Sequence, residues 1–260
     1  MTITAKERTE KITAWIKNYA KTNKIKTLVV GVSGGIDSAV VSTLCARTKL
    51  PTYAISMPIK QIKRLHNLSQ LHCKWLEEKY SNVLTETFDL TPVFKKFENL
   101  INSSDTELAN EHSELAFANS RARLRMMTLY QIAQSTNGIV VGTGNKVEDF
   151  GVGFFTKWGD GGVDISPIGD CMKTQVWDMG KYLKIDQSII DAPPTDGLWN
   201  DGRTDEDQIG VSYSDLEWAM NMSDTGSQPI TASGKQALAV YNKHRSRNLH
   251  KMLPIPVCKF

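Results

Sequence analysis

Between Thr27 and Val141, short runs of β-branched and aliphatic residues alternate with longer stretches of helical period, and this alternation restricts the fold more than any other feature of the chain. Thr27–Val32, Tyr53–Met57, Val83–Phe88 and Ile139–Val141 read as strands, with Ile36–Arg47, Gln61–Tyr80 and Leu115–Gln134 as helices between them. An amphipathic helix over Thr4–Lys21, with Ile12, Trp15, Ile16 and Tyr19 on one side, precedes the first strand. Strands joined through helices return to the same end of the sheet and so run parallel. The expected architecture is an α/β fold, a mostly parallel, doubly wound sheet with helices on both faces. Beyond residue 142 the texture changes. Gly142–Gly169 and Ala192–Asp207 are irregular and read as lids or substrate loops, while helical pattern returns at Lys173–Leu183, Tyr213–Met222 and Ser233–Lys243. With no internal repeat and no long linker, residues 1–260 are expected to form one domain.

Composition removes several function classes. A chain of 260 residues with 40% hydrophobic content can bury a sizeable core, which excludes a disordered or collagen-like chain. No apolar run approaches the roughly 20 residues needed to span a bilayer, and the opening MTITAKERTEKITAW lacks a signal-like stretch, so a cytoplasmic protein is expected. A net charge of +3 permits anionic ligands, but outside Lys243–Lys251 the basic residues are too dispersed to suggest nucleic acid. Cys45, Cys73, Cys171 and Cys258 form no C-x-x-C pair and the histidines no H-E-x-x-H pattern, which points to reduced thiols and no structural metal. His66, His72 and His112 belong to no constellation, and Met126, Met127, Leu129 and Ile132 read as packing.

The chemistry is concentrated in Gly31-Val32-Ser33-Gly34-Gly35-Ile36-Asp37-Ser38. A strand ends, two glycines permit a sharp turn, and a helix begins whose free N–H groups and positive dipole end form an anion site. Ser33 and Ser38 are placed to add hydroxyl donors. A Walker A loop would need a Lys that is missing, and a Rossmann turn would need Gly-x-Gly-x-x-Gly. Asp37 repels a phosphate unless a cation lies between them, so it implies Mg²⁺; the plainer role is a favourable charge at a helix start.

A strand followed by S-G-G-I-D-S resembles the pyrophosphate loop of the N-type ATP pyrophosphatases, which split ATP between its α and β phosphates to activate a substrate as an adenylate. Asn119–Met126, Gly142-Thr143 with Glu148, Gly153–Asp164, and Pro194-Thr195-Asp196 followed by Gly210–Tyr213 resemble, in order, the ammonia-dependent NAD synthetases within that superfamily. The resemblance implies an adenine nucleotide alpha hydrolase-like fold and no glutaminase domain. It implies that Gly31, Val32, Ser33, Gly34, Gly35, Ile36, Asp37 and Ser38 hold ATP together with Thr143, Lys173 and Thr195. Asp37 and Glu148 would bind Mg²⁺. Arg123, Lys157, Asp164, His250 and Lys251 would bind the second substrate, deamido-NAD. Asp160 and Lys173 would be catalytic, Asp160 by binding ammonium and assisting its deprotonation. A homodimer is implied, built in part on the helix around Leu115–Gln134.

Two features can be read directly from the residues. Phe154, Phe155 and Trp158 offer flat surfaces suited to an aromatic ring, or equally could anchor a loop, and Lys157 offers a charge suited to a carboxylate or phosphate. Trp158 stands where the family usually has Tyr, and one extra residue lies between Glu148 and Phe154. The expected reaction is ATP + deamido-NAD + NH₃ → AMP + PPi + NAD⁺, the last step of NAD synthesis, with ATP and deamido-NAD as small-molecule partners. A tRNA-modifying adenylating enzyme would ordinarily bring a nucleic-acid-binding extension or catalytic cysteines. A non-catalytic nucleotide-binding module would not require two metal carboxylates.

Overall fold

The computed structural model describes residues 3–103, 113–195, 204–226 and 231–260. Strands β1 (Thr27–Gly31), β2 (Thr52–Ser56), β3 (Val83–Thr87) and β4 (Gly138–Val140) form a parallel sheet in the order β3-β2-β1-β4. Successive residues of β1 point to opposite faces, as the strand period requires. Leu28 and Val30 join Ile16 of α1 (Ala5–Thr22), Val40 and Leu44 of α2 (Ile36–Arg47), Leu68 and Leu76 of α3 (Lys63–Lys79), and Met179 of α6 (Lys173–Leu183). Val29 faces the other way, into a cluster with Ile55, Met57, Val140 and Ala133 of α5 (Ser113–Ser135). Both faces are covered, as expected of a doubly wound sheet.

Strand order sets the position of the site. The chain passes from β1 through β2 to β3 on one side, then crosses to β4 on the other. The carboxyl ends of β1 and β4 therefore flank the point where winding reverses, and ligands bind in that crevice in open α/β sheets.

A third cluster lies downstream. Val147 and Val152, in a π-helix over Lys146–Val152, pack with Tyr213, Leu216 and Met220 of α9 (Tyr213–Thr225) and Ala237 and Tyr241 of α10 (Ala232–Met252). Short helices α7 (Gln187–Ile190) and α8 (Asp205–Ile209) complete this half.

The structure departs from the sequence reading in several elements, the short helices α7 and α8 among them, with α8 starting inside the stretch read as irregular. Helix α4 (Thr91–Asn102) is additional; it starts with Pro92 in its first turn and buries only Phe94. Gly142–Gly169 is not wholly irregular, because the π-helix lies within it. Helix α10 runs on past Lys243 to Met252. Residues 196–203 of the Ala192–Asp207 stretch read as a loop lie outside the described residues, as do residues 104–112, and with them Asp196 and His112.

Candidate active site

The loop after β1 is shaped by its own hydroxyls. Ser38 donates to Gly35 O (2.9 Å), Ser33 N donates to Ser38 Oγ (3.2 Å), and Gly35 N donates to Ser33 Oγ (3.2 Å). Ser38 is thus a brace of the turn, not a free donor. Val32 N bonds to Ile55 O (2.8 Å) and Ser69 Oγ donates to Val32 O (2.7 Å), which ties the loop to β2 and α3. Gly34 has φ +95°, and a Cβ there would sit 2.5 Å from Leu65 O, so only glycine fits. The N-cap of α2, Gly35, makes no side-chain cap, which leaves the first-turn N–H groups for a ligand.

Beside this loop lies a buried ion triad. Lys173 begins α6, and the next residue, Thr174, fixes that helix start through N and Oγ1 bonds to Glu217 of α9 (2.9 and 2.8 Å). Lys173 Nζ reaches Asp37 Oδ2 at 2.6 Å and Glu148 Oε1 at 2.9 Å, with its side chain only 2% exposed. Asn145 donates to Asp37 Oδ1 (3.2 Å) and accepts from Glu148 N (3.1 Å), so one amide ties the Asp37 carboxylate to the main chain that carries Glu148. The Tyr213 hydroxyl donates to Glu148 Oε1 and lies 3.0 Å from Asp205 Oδ2. Burial works against the Lys173 charge, but Asp37 and Glu148 outweigh it and hold the ammonium above the ordinary lysine range. Burial pushes the Asp37 carboxyl up; Glu148 is held down against burial by Lys173 and Tyr213. Burial, then Glu148 and Asp205, push the Tyr213 phenol far up, so it remains a donor across the physiological range.

Two adjoining cavities open here. One of about 240 Å³ lies over the carboxyl ends of β1 and β4, with Met57, Leu129 and Val140 among its apolar walls. The other, about 130 Å³, holds Asp37, Glu148 and Lys173. Ser33, Ser38, Thr143, Asp160 and Thr195 border both. The apolar walls, the loop amides at the start of α2 and the ion triad thus line one continuous crevice. Asp160 is oriented by Thr156 N, which donates to its Oδ1 (3.0 Å).

The expected second-substrate residues fall elsewhere. Arg123, Lys157, His250 and Lys251 form a linked set: Arg123 Nη2 donates to Lys157 O (3.3 Å), Lys157 Nζ to His250 O (2.9 Å), and Lys251 Nζ to Gly153 O and Phe155 O (2.6 and 2.7 Å). Asp164 stands apart, accepting from Val140 N (2.8 Å) and the Tyr130 hydroxyl (3.1 Å), where it stitches β4 to α5. None of the five borders the two cavities. Trp158 is 54% exposed with φ +62°, and Lys157 Nζ lies 5.6 Å from its ring centroid.

Sequence reasoning missed Tyr213 and Asp149. Tyr213 had been placed in a matching segment without a role. The Asp149 carboxyl occupies the space a side chain on Gly144 would need; a Cβ there would lie 1.8 Å from Oδ2. Burial, then Asp160, Glu148 and Asp37, hold that carboxyl well above the usual range. The glycine after Thr143 was a signal for this close approach.

The chain matches the NAD synthase family over residues 8–253. It is 34% identical to the NH(3)-dependent NAD(+) synthetase of Carboxydothermus hydrogenoformans, with 98% of each chain covered. Among solved structures it is similar to the NMN synthetase from Francisella tularensis (TM-score 0.85, 33% identity, all of both chains). It is also similar to the NH3-dependent NAD synthetase from Campylobacter jejuni (TM-score 0.75, 25% identity, 98% of this chain and 99% of that one).

Proposed function

The chain belongs to the NAD synthase family, and from that premise and the site geometry we infer that it amidates deamido-NAD with ammonia, using ATP and forming NAD, AMP and pyrophosphate. It is a ligase forming a C–N bond. The observation that carries the assignment of its centre is the Asp37–Lys173–Glu148 triad set against the phosphate loop.

The chemistry must solve two problems. A carboxylate is a poor acyl electrophile, so the nicotinate oxygen first forms a bond to the α-phosphorus while the bond to the pyrophosphate oxygen breaks. Two anions meet in this step, so charge neutralisation matters more than a nucleophilic side chain. The N–H groups at the start of α2 receive phosphate oxygens, Thr143 and Thr195 border the phosphate path, and the Lys173 ammonium lies beside it. Ammonia then attacks the acyl carbon, the bond to AMP breaks, and the nitrogen gives up its excess protons; Asp160, between the cavities, accepts from the incoming ammonium.

Asp37 and Glu148 suit a magnesium ion carried in by the nucleotide. They already share one buried cation, and the described residues contain no cluster of three or more Asp, Glu, His or Cys for an all-protein site. Two carboxylates plus phosphate and water oxygens match the way Mg²⁺ binds in nucleotide enzymes. Such an ion supplies further neutralisation of the triphosphate.

The test is AMP and NAD formation followed together. Both should require deamido-NAD and ammonium, with glutamine a poor substitute. AMP release independent of deamido-NAD, or stimulated by tRNA, would overturn the reading. The likeness to the Francisella protein favours a second reading of substrate range, in which nicotinic acid mononucleotide also serves as the carboxylate that is activated and amidated. Comparing kcat/KM for the mononucleotide and the dinucleotide decides between them.

The functional unit is proposed to be a cytoplasmic homodimer built on one catalytic domain. No helix among the described residues is long and apolar enough to cross a membrane, and all four cysteines are free thiols. Val93, Phe97 and Leu100 of α4 and Leu115 and Met127 of α5 are apolar and exposed, which supports a partner on that side.

A further inference from the structure

The main chain from Phe150 to Phe155 is held from one side by a single stripe on α10. Arg245 Nη1 donates to Phe150 O (2.6 Å) and Gly151 O (2.9 Å). One turn on, Asn248 Nδ2 donates to Val152 O (2.9 Å). One turn further, Lys251 Nζ donates to Gly153 O (2.6 Å) and Phe155 O (2.7 Å). Spacing of i, i+3 and i+6 keeps these donors on one face of a helix.

These carbonyls need partners for a local reason. Each hydrogen bond of the π-helix spans one residue more than in an α-helix, i→i+5, which bulges the chain outward at this point. It ends at once, with Gly153 at φ +67°, so its last carbonyls have no helical partners. A Cβ on Gly153 would meet Asn248 at 2.6 Å, so the loop lies directly against α10.

The held segment touches the reaction from both ends. Phe154 N donates to Glu148 O (2.8 Å), and Thr156 N donates to the Asp160 carboxylate (3.0 Å). We propose that Arg245, Asn248 and Lys251 are positioning residues that clamp this main chain and thereby hold Glu148 and Asp160 in register with each other. The proposal rests on the functional reading only for the meaning of Glu148 and Asp160; the clamp itself is measurable without substrate.

Hydrogen exchange of the substrate-free protein tests it, read at the Phe154 and Thr156 amides. In Lys251→Met these amides should exchange about tenfold faster or more, while those of β1 and α2 stay unchanged. Kinetically, kcat for NAD formation should fall at least about tenfold and Lys251→Arg should restore both readouts, while Asn248→Ala should lower kcat with KM for deamido-NAD moving less than about threefold. Asn248→Ala, which removes one bond, should give the same pattern in weaker form if Lys251→Met folds poorly. Unchanged exchange in Lys251→Met and Asn248→Ala overturns the proposal. So does faster exchange with kcat unchanged in both variants, which would separate the clamp from catalysis. Altered exchange without any ammonia-dependent NAD formation by the parent protein would leave the clamp standing and refute the functional reading instead.

Discussion

Lys173 is the residue on which the site's electrostatics turn. Removing its charge in Lys173→Met leaves two half-buried carboxylates facing each other, a change expected to cost about 3 kcal/mol at neutral pH. If the pair also takes magnesium, added Mg²⁺ should raise the melting temperature of Lys173→Met by more than that of the parent, as differential scanning fluorimetry would show. Equal shifts would remove the metal from this pair. Tyr213→Phe removes the hydroxyl that orients Glu148. It should lower kcat severalfold or more with little change in KM for deamido-NAD, and cost about 1–3 kcal/mol if the carboxylates it serves stay unpaired. None of this pairing was legible in the sequence. Lys173 is 136 residues from Asp37, and nothing local to either residue announces the other. Asp37 could be read because its meaning is local: an acid inside a phosphate turn.

At the scale of elements, the backbone turn from β1 into α2 was legible, because glycine placement dictates backbone shape within a few residues, whereas the use of the Ser38 hydroxyl as a brace to Gly35 O was not. Gly34→Ala tests that reading. With φ +95° and Leu65 O in the way, the variant should lose ATP binding by at least about tenfold in calorimetry, and it should be less stable by more than about 1 kcal/mol. The π-helix was not legible, since seven residues are too few for any period to emerge. Helix α10 was cut short for a different reason. Its last turns, KHRSRNLHK, bury little apolar surface and serve the 150–155 carbonyls instead, so polar residues there read as a solvated end. Helix α4 escaped notice because Phe94 alone of its residues is buried.

At the scale of the whole molecule, the parallel sheet and its two covered faces followed from the alternation of periods, whereas the strand order came only with the structure. The core adds a pH dependence. His72 is buried beside Ser42 (2.9 Å between Nε2 and Oγ), stacked on Trp75, and burial lowers its pKa to about 4. The unfolded chain, near 6.5, binds a proton that the folded one refuses. Its stabilisation is therefore complete above pH 6.5 and lost as pH falls towards 4, by about 3 kcal/mol across that window. Urea midpoints at pH 7, 5.5 and 4.5 should fall less steeply for His72→Gln than for the parent; parallel slopes would show that His72 is not the group responsible. A second whole-molecule measurement concerns assembly: light scattering should give about twice the 29.0 kDa chain mass, and a monomer at micromolar concentration would refute the homodimer. The lysine bridging Asp37 and Glu148 also bears on how the idle enzyme withstands its surroundings. Because the counter-charge is covalently part of the polypeptide, stripping divalent ions with a chelator should leave the protein as hard to unfold as before, and if the proposed magnesium serves turnover, its scarcity would idle the enzyme without destroying it.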